Sequence, residues 1–131
     1  MKADVSRFVF DPSGLRLDRE KDYVAKIPSG LVSRQKLFEA LKLELRLPDY
    51  FGYNWNALDE CLRDLSWIKQ HRVVLLHEDL PQLDAKEISI YLSVLSSGVK
   101  DWKVGEDHEL VVAFPKDARK AISDIIQRGE N

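Results

Sequence analysis

The pattern of apolar residues predicts three buried strands. They lie at about 23–27, 72–77 and 109–114, and each is a short run dominated by apolar side chains. The run Arg-Val-Val-Leu-Leu-His at 72–77 has no alternation of apolar and polar residues, which is typical of a strand covered on both faces. Pro28 and Pro115 directly follow the first and third runs. Because proline cannot donate a ladder hydrogen bond, we expect each of these strands to end there.

Four other segments repeat apolar residues at helical spacing. Side chains that can cap a helix precede three of them, namely Ser33, Asn54 and Asp84. The fourth segment begins near Ala118. The expected ends of the four helices are Leu47 (just before Pro48), about Leu65, Gly98 and Gly129.

The order of these elements predicts the fold class. Strand, helix, short helix, strand, helix, strand, helix indicates an α/β protein with a small, mainly parallel three-stranded sheet and packed helices. Residues 1–20 are expected to form an N-terminal appendage with a short strand at 8–10 and a turn at 11–14. We expect this strand to pair with the edge of the sheet as an extra strand. Residues 21–131 would then form a single domain with an extra C-terminal helix.

Composition and charge favour one globular domain in the cytoplasm. The chain has 131 residues, 44% of them hydrophobic, which suffices for a core without a metal or a disulfide. Its 20 basic and 22 acidic side chains give a formal net charge of −2, whereas nonspecific nucleic-acid binders usually carry a basic excess. The single cysteine, Cys61, fits a reducing compartment. No signal-peptide or membrane-spanning run is evident, so we expect a monomeric cytoplasmic protein without a cofactor or metal.

The short helix after Asn54 has two contrasting faces. Spacing places four apolar residues on one side: Trp55, Leu58, Leu62 and Leu65. It places polar residues on the other: Asn56, Asp59, Glu60 and Arg63. The preceding loop contains Tyr50, Phe51 and Tyr53, and Gly52 is expected to permit a tight backbone turn.

This segment has two possible interpretations. Residues 47–64 carry four acidic side chains and one arginine, a net charge of −3. Any amphipathic helix presents charged residues to water, and loop aromatics often close a core. Alternatively, the aromatics supply rigid contact area and the carboxylates complement a basic cleft on a protein partner.

The sequence at 48–62 favours the second interpretation. It reads PDYFGYNWNALDECL and closely resembles the signature of the barstar family of intracellular ribonuclease inhibitors. That signature is Pro, an acid, Tyr, an aromatic, Gly, any residue, Asn, Trp or Leu, Asp, Ala-Leu, any residue, an acid, Cys-Leu. The order of elements also fits the family's fold over about 23–114.

The resemblance implies an inhibitor or immunity protein, not an enzyme. In the family, the loop and second helix occlude the active site of a ribonuclease, and carboxylates take the place of RNA phosphates. A related toxin with a basic cleft is an alternative partner. The implied partner-binding residues are Tyr50, Phe51, Tyr53, Asn56, Asp59 and Glu60, with Tyr50 entering the cleft and Glu60 at the main acidic contact. The implied structural residues are Gly52, Asn54, Trp55, Leu58 and Cys61.

Two positions depart from the family's pattern. Asn56 stands where the family usually has Asp, which removes one charge. Glu60 replaces the commoner Asp and reaches one methylene further. Asp59 is expected to restore the lost charge.

Two other function classes stay open at this point. A small α/β enzyme could use a histidine as general base, and His77 is expected at the end of a parallel strand, a common location for sites. A nucleic-acid-associated regulator could use Lys42 and Arg46 on the first helix, although Glu39 interrupts that basic face. The chain has no Gly-rich phosphate loop, and no two of its histidines have the short spacing that is typical of a metal site. Neither alternative therefore has a supporting motif.

Overall fold

The computed structural model of the chain describes residues 3–128. Its strands and helices, in chain order, are β1 (Val9–Phe10), β2 (Asp22–Ile27), α1 (Arg34–Leu45), α2 (Trp55–Asp64), β3 (Arg72–His77), α3 (Ala85–Asp101), β4 (Glu109–Phe114) and α4 (Ala118–Arg128). A short 3-10 turn at Pro12–Gly14 follows β1. The three predicted core strands are confirmed to within one residue.

The strands form one sheet, in the order β1-β4-β3-β2, and all neighbours are parallel. The predicted α/β fold is therefore confirmed. The count of three strands is one too low, because the extra N-terminal strand that was expected at the edge does pair with the sheet. The fourth strand is the N-terminal one, in which Val9 pairs with Ala113 and Phe10 pairs with Phe114. This pairing satisfies backbone groups that would otherwise be open at the edge of β4.

The main apolar core lies against one face of the sheet. Ala25, Leu75 and Val112 are side by side on three neighbouring strands and are fully buried. The same cluster contains buried side chains from all four helices. Val74 points to the other face of β3 and is also fully buried. The prediction that this strand is covered on both faces therefore holds at Val74, whereas Leu76, on the same face, is only half-buried.

The predicted helix caps are present. The side-chain oxygens of Ser33, Asn54 and Asp84 each accept a hydrogen bond from the backbone N–H three residues later, at 3.1, 2.8 and 2.8 Å. The first helix ends at Leu45, and the next residue, Arg46, is left-handed. These caps satisfy N–H groups that have no partner inside a helix, and they fix where α1, α2 and α3 begin.

The prediction that Gly98 ends the third helix is wrong, because α3 continues to Asp101. A Cβ atom at Gly98 would lie 3.0 Å from Leu110 Cδ2 and 3.3 Å from Leu62 Cβ. The glycine therefore permits close packing of α3 against β4 and α2. The expected helix stop at Gly129 lies outside the described residues.

The N-terminal segment is joined to the rest of the fold by polar contacts. Asp4 forms an ion pair with Lys100 of α3 at 2.7 Å. A separate contact joins the first residues of β2 and β3, where Arg72 donates two hydrogen bonds to Asp22, at 2.9 and 2.7 Å. The predicted boundary near residue 20 stays a prediction. None of the helices within 3–128 is long and apolar enough to cross a membrane.

Candidate partner-binding surface

Two indole groups fix the position of α2. The Nε1–H of Trp102 donates to the backbone carbonyl of Leu62 at 2.9 Å, which ties α2 to the end of α3. The Nε1–H of Trp67 donates to the carbonyl of Leu45 at 2.9 Å, which ties the segment after α2 to the end of α1. The outer face of α2 is therefore held on a rigid support.

The inner face of α2 belongs to the core. Leu58 is fully buried, and Cys61 is 2% exposed. Burial is the main cause that raises the pKa of the Cys61 thiol, so the side chain packs as a small neutral group. The Trp55 ring is half-buried and lies edge-on to Phe38, with ring centroids 4.8 Å apart.

The loop before α2 is anchored by Phe51. Its ring is only 3% exposed and packs edge-on against Phe38, with centroids 5.8 Å apart. Lys42 of α1 also reaches the loop, where its Nζ donates to the carbonyl of Pro48 at 3.4 Å and pairs with Asp49 at 3.6 Å. In this structure the Phe51 side chain closes the core, and the expectation that it contacts a partner stays a prediction.

Two other aromatic side chains of this loop reach the surface. Tyr50 is 70% exposed and Tyr53 is 39% exposed. The hydroxyl of Tyr50 donates to Asp64 Oδ2 at 3.3 Å. Desolvation, together with the nearby carboxylate of Asp64, raises the pKa of Tyr50, so its hydroxyl stays protonated and able to donate.

The tight turn expected at Gly52 is one residue later. Tyr53 has φ of +53°, in the left-handed region, whereas Gly52 does not adopt a positive φ. What Gly52 provides is space, since a Cβ there would lie 3.1 Å from Asn54 Nδ2. That amide also donates to the carbonyl of Gly52 at 3.2 Å. Gly52 and the Asn54 cap together set the direction in which the chain enters α2.

The carboxylates of Asp59 and Glu60, on the outer face of α2, differ in whether they have a counter-ion. Asp59 forms an ion pair with Arg63, one helical turn later, at 3.0 Å. Glu60 is exposed, and within 3–128 no cation or hydrogen-bond donor lies in bonding range of its carboxylate. Asn56 is exposed beside them. The chain's own arginine therefore counterbalances Asp59, which weakens the expectation that Asp59 restores the charge missing at Asn56.

His77 cannot act as an accessible base in this structure. It is 1% exposed, and its Nδ1–H donates to the carbonyl of Ala113 at 3.0 Å. Its Nε2 accepts the hydroxyl hydrogen of Tyr91 at 2.6 Å. Burial lowers the pKa of His77 to about 4, so the ring is neutral at neutral pH. With both ring nitrogens occupied inside the core, His77 gives the enzyme alternative no support.

The described residues do not bring together a metal site, since no group of three or more His, Cys, Asp or Glu side chains there has suitable geometry.

One exposed side chain next to the surface was not among the predicted residues. Leu43 on α1 is 74% exposed. Its position between Lys42 and Glu44, on the otherwise polar face of the helix, was the available signal in the sequence.

The fold and this surface define a class of protein. It is a small parallel α/β domain that holds exposed tyrosines and carboxylates on a rigid loop and helix. A family model described as "Barstar (barnase inhibitor)" matches residues 27–115, about two thirds of the chain, and the chain belongs to the barstar family. Proteins of this family bind ribonucleases and are inhibitors rather than enzymes. No individual curated protein shows significant sequence similarity to the chain.

The matched region contains the whole surface described above and confirms the resemblance seen at 48–62. It does not include β1 or α4, which lie before and after it.

Proposed function

We propose that this protein binds a barnase-type ribonuclease, or a related toxin with a basic cleft, and blocks its active site with the loop and α2. The observation that carries the proposal is the exposed Glu60 carboxylate, which has no partner within 3–128 and lies on α2, the helix that follows the loop with the exposed Tyr50. Both lie inside the region that matches the barstar family.

Charge explains why such a surface suits a ribonuclease. An active site that binds RNA must present cationic side chains to phosphates, and a carboxylate can accept the same charge-assisted hydrogen bonds. Glu60 supplies that group. Since it has no counter-ion among the described residues, binding a cation does not require breaking an internal pair, whereas Asp59 would first have to leave Arg63.

Rigidity adds to the argument. Ordering a flexible loop on binding costs free energy, and a loop fixed in advance avoids that cost. Phe51 fixes this loop in the core, and Lys42 holds it from α1. The exposed ring of Tyr50 is thus presented from a prepared position, and aromatic side chains of this kind are frequent binding hot spots.

The proposal includes a cellular setting. We infer that the chain acts as a monomer in the cytoplasm and neutralises a ribonuclease or toxin there. The family's intracellular role and the single buried thiol, Cys61, support this inference.

An RNA-cleavage assay tests the function. Barnase is mixed with increasing amounts of the protein, and cleavage of a fluorogenic RNA is measured. Occlusion predicts that activity falls to background near one equivalent and that excess substrate slows inhibition. If calorimetry detects binding but barnase stays fully active, the surface is not a plug for the active site.

A further inference from the structure

A shallow cleft of about 380 Å³, largely open to solvent, lies between α1 and the loop before α2. Its lining residues are Glu39, Lys42, Leu43, Arg46, Leu47 and Tyr53. Leu43 is 74% exposed and Tyr53 is 39% exposed, while Leu47 is buried. The cleft thus combines three apolar or aromatic side chains with charged neighbours of both signs.

Leu43 alone would require no explanation, because single apolar residues are common on protein surfaces. The conformation of Tyr53 is the second observation. A φ of +53° is unusual for an aromatic residue, because this left-handed region is sterically unfavourable for residues other than glycine. This conformation holds the ring at the cleft, where it also lies 5.1 Å from the Phe51 ring. Such strain is frequent at functional sites.

The cleft is continuous with the proposed ribonuclease-binding surface. Tyr53 lines the cleft and directly precedes Asn54, the cap of α2. Lys42 lines the cleft too, and its ammonium group contacts the loop at Pro48 and Asp49. A protein that covers Tyr50 and the outer face of α2 would therefore meet this cleft at the margin of the same interface.

The ion pairs within the binding surface are a further observation. Asp59 is paired with Arg63, and Asp49 is paired with Lys42, so two of the four acids in 47–64 have counter-ions from their own chain. Attraction for a basic partner then depends on the other two acids, Glu60 and Asp64. Apolar contacts beside them add to the affinity and to the choice of partner.

We propose that the binding surface extends onto α1, and that the ribonuclease bound there inserts an apolar side chain between Leu43 and Tyr53. This inference rests on the proposed function and deepens it, because it makes Leu43 and Tyr53 specificity-determining residues. The preferred partner has a cationic group facing Glu60 and an apolar protrusion beside its active-site cleft.

The test measures the affinity of catalytically inactive barnase for the protein and for Leu43→Glu. This substitution separates two explanations, because an added carboxylate should strengthen binding to a basic partner if only charge matters. Insertion of an apolar side chain predicts the opposite, a loss of roughly tenfold or more, as for a hot-spot residue. Leu43→Met, which keeps an apolar side chain, should bind within about threefold of the original protein.

Leu17→Glu is the matched control, since Leu17 is 44% exposed and does not line the cleft. It should change the affinity by less than about twofold, as expected for an isolated surface charge. Equal or tighter binding of Leu43→Glu would overturn the extension onto α1. If Glu60→Ala still weakened binding in that case, the proposed function would stand. If the unaltered protein did not bind barnase at all, both proposals would be contradicted for a partner of the barnase type.

Discussion

His77, which is buried in the core, should make the protein's stability depend on pH in the mildly acidic range. Burial lowers the pKa of His77 from 6.5 to about 4 in the folded state. Above pH 6.5 the ring is neutral in both states and carries no penalty. As the pH falls from 6.5 towards 4, the unfolded chain binds a proton that the folded protein excludes, so the free energy of unfolding decreases. A difference of between two and three pKa units corresponds to a loss of about 3 kcal/mol, an order-of-magnitude figure.

Urea unfolding followed by tryptophan fluorescence at pH 7.0, 6.0, 5.0 and 4.5 measures this effect. Between pH 6 and 4.5 the free energy of unfolding should fall by up to about 1.4 kcal/mol per pH unit, the value for one proton. His77→Gln removes the titrating group and should flatten the curve. His71→Gln, at an exposed histidine, should leave it unchanged. A pH-independent stability of the original protein, or a full slope in His77→Gln, would refute the reasoning.

Three further substitutions test the fold around the surface, each by urea unfolding. Gly98→Ala should destabilise the protein by about 1–3 kcal/mol, because the new Cβ would lie 3.0 Å from a neighbouring side chain, whereas Gly14→Ala meets no atom within 4 Å and should not show that loss. Asn54→Ala should cost about 1 kcal/mol by removing the cap of α2, and an unchanged midpoint would contradict that role. Arg72→Ala should cost about 3 kcal/mol at pH 7, since it leaves the buried Asp22 carboxylate without its main partner. The hydrogen bond from Arg72 lowers the pKa of Asp22 to about 2, so this pair's contribution should disappear as the pH falls from about 4 to about 2.

The sequence predicted those elements whose signals are local. β3 and β4 are apolar runs of strand length, and α1, α2 and α3 begin where a side chain can accept a backbone hydrogen bond. The two faces of α2 also follow from residue spacing, because its buried and exposed positions alternate with the helical period. These features need no knowledge of distant contacts.

The errors concern residues whose roles depend on the rest of the fold. Glycine can end a helix or admit a close neighbour, and only the position of Leu110 and Leu62 shows that Gly98 does the second. Phe51 and Tyr53 are both loop aromatics, but the left-handed backbone at Tyr53 turns one ring outward while the other packs on α1. The sequence shows that both residues are aromatic, but it does not show which of the two side chains is buried.

The residue pattern also describes the charge of α2 incompletely. A count of acidic residues treats Asp59 and Glu60 alike, although Arg63 pairs with the first and not with the second. Residues four positions apart on a helix can form such pairs, so the Asp59–Arg63 contact could have been foreseen from spacing. Its consequence is that, of the two, only Glu60 is left without a counter-ion among the residues that the structure describes.

The most direct test of the proposed function is the affinity of catalytically inactive barnase for Glu60→Ala, measured by calorimetry at about 150 mM salt. If Glu60 is the main acidic contact, binding should weaken by at least about 2 kcal/mol, roughly thirtyfold, while the circular dichroism spectrum stays unchanged. Glu20→Ala removes an exposed carboxylate outside the surface and should bind like the original protein. Unchanged affinity of a folded Glu60→Ala variant would contradict the assignment of this surface to ribonuclease binding.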